Sequence, residues 1–297
     1  MISAGAADGP VVVIETGRGH PAVLWRPVID LVAKFARVCV YDRPGYGWSD
    51  SVGRARSPEE IAGDLHALLE KAGLPGPYIL VGHSLGGYYV RLFAARYPAE
   101  VAGMVLVDAR HESLGERVPM LSGAGDRRFY QIFRVVLQLG LLRLVTRVKP
   151  DLLLGGAGFM SRYAPALRQV VRAVMLWPGI FPASALETAG WPAVEAELRQ
   201  AGPLGELPLV VLSRGRPDLD GWGYSEDLKA RVWQAWQACQ AELVRLSPRG
   251  RQVVVDGAGH MIPLERPEAV AEAIRAVSGS PRPAHRAPGP GTARHPA

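Results

Sequence analysis

The chain alternates short apolar runs with longer stretches in which apolar positions recur every three or four residues. Pro10 to Ile14 is the first β-branched run, and it leads into Glu15-Thr16-Gly17-Arg18-Gly19. Trp25, Val28, Ile29, Val32 and Phe35 then fall at helical spacing, and Val38 to Tyr41 is a second apolar run. It empties into Asp42-Arg43-Pro44-Gly45-Tyr46-Gly47-Trp48-Ser49-Asp50, a loop built of turn residues. Ser57, Pro58 and Glu60 spell a capping box with proline at the first helical position. They predict a helix carrying Ile61, Leu65, Leu68 and Leu69 to a stop at Gly73. Tyr78 to Val81 predicts a strand, Gly87 to Tyr97 a helix stopped by Pro98, and Met104 to Val107 a strand ending at Asp108. Strand and helix alternating at this rhythm predict an α/β fold, a mostly parallel sheet covered by helices on both faces.

The rhythm breaks from residue 109 to about 206. Phe129 to Val145 is strongly apolar at helical spacing, and further helical patterns cover roughly Tyr163 to Leu176 and Ala183 to Gln200. This stretch reads as a helical cap inserted between two strands. The sheet resumes at Leu209 to Leu212, a long helix runs from about Glu226 to Leu246, and Gln252 to Val255 is the last strand. Pro267 to Val277 closes the pattern. Residues 10–108 and 207–278 are therefore expected to form the core, and 109–206 the cap. Residues 279–297 have no apolar period and are expected to be a disordered tail.

Candidate chemistry sits where the pattern changes period. Gly82-His83-Ser84-Leu85-Gly86 lies between a strand and a helix, the setting of a G-x-S-x-G nucleophile elbow. Such a turn is too tight for side chains at Gly82 and Gly86. It projects the Ser84 hydroxyl beyond the sheet and aims the Leu85 amide, at the helix N-terminus, toward an incoming oxyanion. A serine needs a base. Of the seven histidines, His260 is the best placed, in a glycine-flanked loop after the last strand. His83 should point away from the nucleophile and pack, while His20 and His66 fall in or beside helical segments with no partner in view. His111, just past Asp108, is a candidate pocket residue. Asp108, twenty-four positions beyond Ser84, and Asp218, after the later strand, are both candidates for the acid that orients the base.

Composition narrows the function classes. With 297 residues, 48% of them hydrophobic, the chain can bury a large core. No apolar run is long enough to span a bilayer, and the first eight residues lack a basic n-region and an apolar core, so no secretory signal is expected. Two distant cysteines predict buried thiols rather than a disulfide, which suits a reducing, cytoplasmic setting. The net charge of +6 comes from scattered arginines without interleaved aromatics, so nucleic acid is not an expected partner. Neither metal-ligand spacing nor a phosphate-binding glycine loop is present, and no metal or cofactor is expected.

From about Pro10 to Val277 the chain resembles the α/β-hydrolase superfamily. The elbow at Gly82–Gly87, the loop Tyr41–Asp50, the stretch Gly257-Ala258-Gly259-His260 and the order Ser, Asp, His carry the resemblance. It implies a serine esterase-like enzyme acting on a small-molecule ester through a Ser84, His260, Asp108 triad. The spacing of Asp108 resembles the relatives whose acid follows the earlier strand, with Asp218 as the alternative. Thr16-Gly17 stands where relatives carry His-Gly, which implies the Arg18 amide as second oxyanion donor and leaves Gly17 room beside a substrate. Serine at position 84 argues against dehalogenase or epoxide-hydrolase chemistry, which uses a carboxylate nucleophile. Thioesterase, amidase, acyltransferase and C–C hydrolase chemistry stay open, as does a binding protein on this scaffold. Only nine residues precede Pro10, so two N-terminal edge strands of many relatives are expected to be missing, or the chain to start inside a longer one.

Overall fold

The structure is a computed structural model that describes residues 1–6, 9–122, 165–175, 177, 179–218 and 225–279. The segment Phe129 to Val145 and the tail beyond residue 279, both singled out by the sequence pattern, lie outside the described residues.

Seven strands form one sheet among the described residues: β1 (Ile2–Ala4), β2 (Val11–Glu15), β3 (Arg37–Val40), β4 (Tyr78–His83), β5 (Val101–Val107), β6 (Leu209–Arg214) and β7 (Gly250–Val255). Their order is β1-β3-β2-β4-β5-β6-β7. All neighbours pair in parallel except β1, which runs antiparallel to β3 with Ser3 opposite Cys39. Where two edge strands were expected to be missing, one short edge strand, Ile2–Ala4, is present. It is too short to show a period in sequence, and Ile2 and Ala4 pack against the core cluster.

The helices are α1 (Arg26–Val32), α2 (Pro58–Lys71), α3 (Gly86–Arg96), α4 (Leu114–Arg117), α5 (Pro165–Met175), α6 (Ile180–Ala201), α7 (Glu226–Val244), α8 (Ile262–Glu265) and α9 (Pro267–Ser278). The capping box of α2 forms as the sequence implies, with Ser57 Oγ accepting from Glu60 N–H and Glu60 accepting from Ser57 N–H. None of the described helices is long and apolar enough to cross a membrane.

Alternation along the strands divides the core in two. Val12, Ile14, Val81, Val105 and Leu212 face α1 and α9 through Val28, Ile29, Val270 and Ile274. Val13, Leu80, Met104, Leu106 and Val211 face α2, α3 and α7 through Leu65, Leu69, Val90, Phe93 and Leu243. Each such side chain contributes about 1.5–3 kcal/mol by leaving water, so the strand ends are held by a two-faced apolar frame. A third cluster seats α6 on the core: Trp191, Val194 and Leu198 pack against Ile61, Leu85, Tyr88, Tyr89 and Leu92. Helix α6 thus runs along α3, from Tyr88 in its first turn to Arg96 in its last.

Candidate active site

The strand β4 ends at His83 and α3 starts at Gly86, so the chain turns on two residues. Ser84 takes φ 53°, a left-handed conformation costly for a residue with a Cβ. The turn allows this because both flanking glycines are needed. A Cβ on Gly82 would lie 2.7 Å from Gly86 O, and one on Gly86 only 2.2 Å from Glu15 O. Backbone bonds fix the elbow: Ser84 N–H donates to Val107 O at 3.1 Å, and Ser84 O accepts from the Gly87 and Arg110 amides at 3.1 and 2.9 Å.

Asp108 is the only other described non-glycine residue with positive φ, at 41°. Its amide donates to Leu212 O at 2.7 Å, which holds the residue at the mouth of β5 and β6. The carboxylate is fully buried. Its Oδ1 accepts from Trp236 Nε1 at 2.8 Å and from Arg214 N–H at 3.3 Å, and its Oδ2 lies 2.6 Å from His260 Nδ1. His260 Nε2 in turn lies 3.0 Å from Ser84 Oγ. Burial alone would raise the Asp108 pKa. The nearby Arg214 charge and the bonds from His260 and Trp236 outweigh it and hold the carboxyl below its ordinary value of 3.8.

Asp218 takes a different place. Its Oδ2 accepts from the backbone N–H of His260 at 3.2 Å, and its Oδ1 lies 3.3 Å from Arg216 Nη1. It supports the histidine loop, together with Glu265, which accepts from Gly259 N–H at 3.0 Å and from Arg216 at 3.0 Å. The two aspartates that sequence could not separate thus meet His260 at opposite ends of the residue: Asp108 at the imidazole, Asp218 at the main chain.

Among the described residues, His83 is buried and His20, His66 and His111 are packed away from Ser84. His83 Nε2 lies 2.9 Å from His260 O, which anchors the loop from below. His20 stacks on His83 with ring centroids 5.6 Å apart. Desolvation, followed by the His260 charge, pushes His20 down to about 3 and His83 well below its ordinary 6.5, so both are neutral at pH 7. The expectation that His20 and His66 lack partners is corrected, since His66 Nε2 sits 3.0 Å from Glu100 and its ring stacks on Tyr97. His111 faces Ser113, Glu112 and Glu242 rather than Ser84 or His260.

Spacing in sequence hid one cluster. The ligand atoms of His111, Cys239 and Glu242 all lie within 4.8 Å of one another. The Ser113 hydroxyl stands among them, 2.9 Å from His111 Nδ1, 3.2 Å from Glu242 Oε2 and 3.7 Å from Cys239 Sγ. Arg117 pairs with the same glutamate. Their polar atoms are taken up by one another, and the cluster ties the loop after Asp108 to α7.

The loop after β2 lies against the elbow, with Glu15 opposite Gly82 in the sheet register. Gly17 to His20 closes a turn through His20 N–H and Gly17 O at 3.2 Å, with Gly19 at φ 71°, the positive value a type II turn needs at its third residue. A Cβ on Gly17 would meet His20 Nδ1 at 2.8 Å and His83 Nδ1 at 2.9 Å, so the room a glycine leaves there is filled by imidazoles. The Arg18 side chain reaches up to Thr188 of α6 at 3.1 Å and over the Trp191 ring. Arg43, Trp236 and Arg214, none given a role from sequence, hold this arrangement together with His83, which sequence expected to pack. In the sequence Trp236 is one more apolar residue at helical spacing and Arg43 one more loop arginine.

A model of the alpha/beta hydrolase family matches residues 11–273. A thermophilic esterase from Thermogutta terrifontis is 25% identical, with a TM-score of 0.65 over 93% of this chain and 90% of that chain. An enol-lactonase from Burkholderia xenovorans LB400 shares the fold at 19% identity, with a TM-score of 0.62 over 93% of this chain and 94% of that one. Among curated proteins, an uncharacterized protein of Schizosaccharomyces pombe is 51% identical over 73 residues. That match spans 25% of this chain and 14% of the length of the relative.

Proposed function

Because the chain belongs to the alpha/beta hydrolase family, we propose that it is a serine hydrolase cleaving a carboxylic ester, or a related acyl bond, of a small lipophilic substrate. The observation that carries the reading is the unbroken hydrogen-bonded line from Ser84 Oγ through His260 to Asp108, at 3.0 and 2.6 Å. His260 accepts the Ser84 proton as the oxygen attacks the carbonyl carbon. Asp108 stays ionised, keeps Nδ1 protonated and balances the imidazolium that forms. The Leu85 and Arg18 amides hold the oxyanion. His260 then returns the proton to the leaving alcohol, and water repeats the sequence on the acyl-enzyme.

The test is turnover of a panel of p-nitrophenyl esters by the wild type and by Ser84→Ala. The variant is expected to fold and to lose at least a thousandfold in kcat, as loss of a triad nucleophile does. Retention of even a tenth of wild-type turnover would contradict the assignment.

A further inference from the structure

The loop Asp42–Asp50, which carries part of the family resemblance, sends Arg43 and Tyr46 into the interior. Arg43 is 1% exposed, and every nitrogen of its guanidinium is engaged. Nη1 donates to Thr16 O at 2.7 Å and to Glu15 Oε2 at 3.0 Å. Nη2 donates to Gly17 O at 3.1 Å. Nε and Nη2 face the two oxygens of Glu187 on α6, at 2.6 and 3.3 Å. The ring of Tyr89 lies 5.0 Å and that of Tyr46 5.4 Å from its central carbon. Tyr46 also donates to Glu187 Oε2 at 2.6 Å, and Tyr41 donates to Glu15. One cation therefore ties three separate pieces: the loop after β2, the loop after β3 and the cap-side helix α6.

The consequence lies in the peptide it grips. A trans peptide is planar, and its carbonyl and N–H point in opposite directions. The Gly17 carbonyl is pinned on one side by Arg43 and by His20 N–H. The Arg18 N–H is thereby turned to the other side. Without the guanidinium, two carbonyls of the loop would be left buried with fewer donors, and peptide reorientation would be the cheapest repair.

We propose that Arg43 is a positioning residue that fixes the Gly17–Arg18 peptide with its N–H toward the oxyanion, and that Glu187 makes this depend on α6 being docked. The inference rests on the reading of Ser84 as the nucleophile. The fork geometry matters as well as the charge: a lysine has one nitrogen and cannot hold Thr16 O, Gly17 O and Glu187 together. The oxyanion hole is then complete only when α6 is seated, which links docking of that helix to the chemical step.

The experiment compares wild type, Arg43→Lys and Glu187→Gln on an ester and on the matching thionoester. Sulfur is larger than oxygen and a poorer acceptor, so ester-over-thionoester preference reports oxyanion binding. Both variants are expected to lose about 10–1000-fold in kcat, the size of one oxyanion donor, with KM within about threefold. Their ester-over-thionoester preference is expected to fall toward one. A purely structural strut would leave that preference unchanged. Thermal melts establish which variants fold, and Glu187→Gln, which keeps the shape of its side chain, carries the test if Arg43→Lys does not. A folded variant with kcat within threefold of wild type, or with lost kcat but unchanged preference, overturns the inference alone. A wild type that turns over no ester and whose Ser84 resists a fluorophosphonate overturns the serine-hydrolase reading and this inference with it.

Discussion

Among the described residues, Ser84 and Asp108 carry positive φ without being glycine, and both face His260. Backbone strain of about 1–3 kcal/mol at each is held by the sheet amides around it. Each conformation throws its side chain off the end of a strand, which is what a shared imidazole requires. The acid can be identified by substitution. Asp108→Asn reverses the hydrogen bond to Nδ1 and is expected to cut kcat about 10³–10⁴-fold. Asp218→Asn leaves an oxygen for the His260 amide and is expected to cost less than tenfold. Steady-state kinetics of the two variants on one ester decide between them, and the reverse order would move the role to the later loop. That Ser84 and His260 would approach each other was legible in sequence because their signals are local: a glycine pair that only a tight turn needs, and a glycine-flanked histidine after the last strand. It left the acid open because two aspartates follow two adjacent strands. Only the three-dimensional approach shows one at the ring and the other at the main chain.

At the scale of elements, α6 is the piece that joins the loops after β2 and β3 to α2 and α3. Trp191 fills the gap between α2 and α3, and Thr188, Trp191 and Glu195 meet Arg18, Arg110 and Tyr88 in turn. Trp191→Ala removes the largest apolar anchor of this helix and is expected to destabilise its docking by about 3–5 kcal/mol. Hydrogen exchange of α6 amides is the measurement; unchanged protection would mean the helix is held elsewhere. The apolar pattern of Phe129 to Val145, expected from sequence to belong to a helical cap, makes a second prediction. Rising kcat/KM with acyl length is expected, up to about fourfold per methylene, the equivalent of about 0.8 kcal/mol. A profile flat from two to ten acyl carbons would leave the segment as packing. The helices of the core were legible from period and capping, as in α2. Helix α6 was legible as a helix but not as a clamp, because the partners of Glu187 and Trp191 come from residues 18, 43 and 110.

For the whole molecule, His20 and His83 contribute to the response to acid. The unfolded chain binds protons on His20 and His83 near pH 6.5, and the folded protein refuses them, His20 down to about 3. Stability therefore falls as pH drops below about 6.5, by about 1.4 kcal/mol per pH unit for each histidine once the unfolded state is fully protonated. Glu112 adds its own loss at lower pH. Burial would raise its pKa, but pairing with Arg91 takes it down to about 2, so its contribution is present above its ordinary 4.5 and disappears between there and 2. Urea midpoints from pH 7.5 to 4.5 are expected to decline steadily, with a shallower decline for His20→Gln; a flat course would contradict the neutral burial of both rings. The parallel sheet was legible from its apolar runs, whereas β1 and the Arg43 network were not, since a three-residue strand has no period and a buried ion pair has no sequence signature. Intact-mass and peptide analysis after reaction with a fluorophosphonate shows whether Ser84 is a nucleophile activated by His260. One adduct per chain is expected, on Ser84, absent in Ser84→Ala and slowed at least a hundredfold in His260→Ala. Labelling that persists in folded Ser84→Ala, or none on the folded wild type, would contradict it.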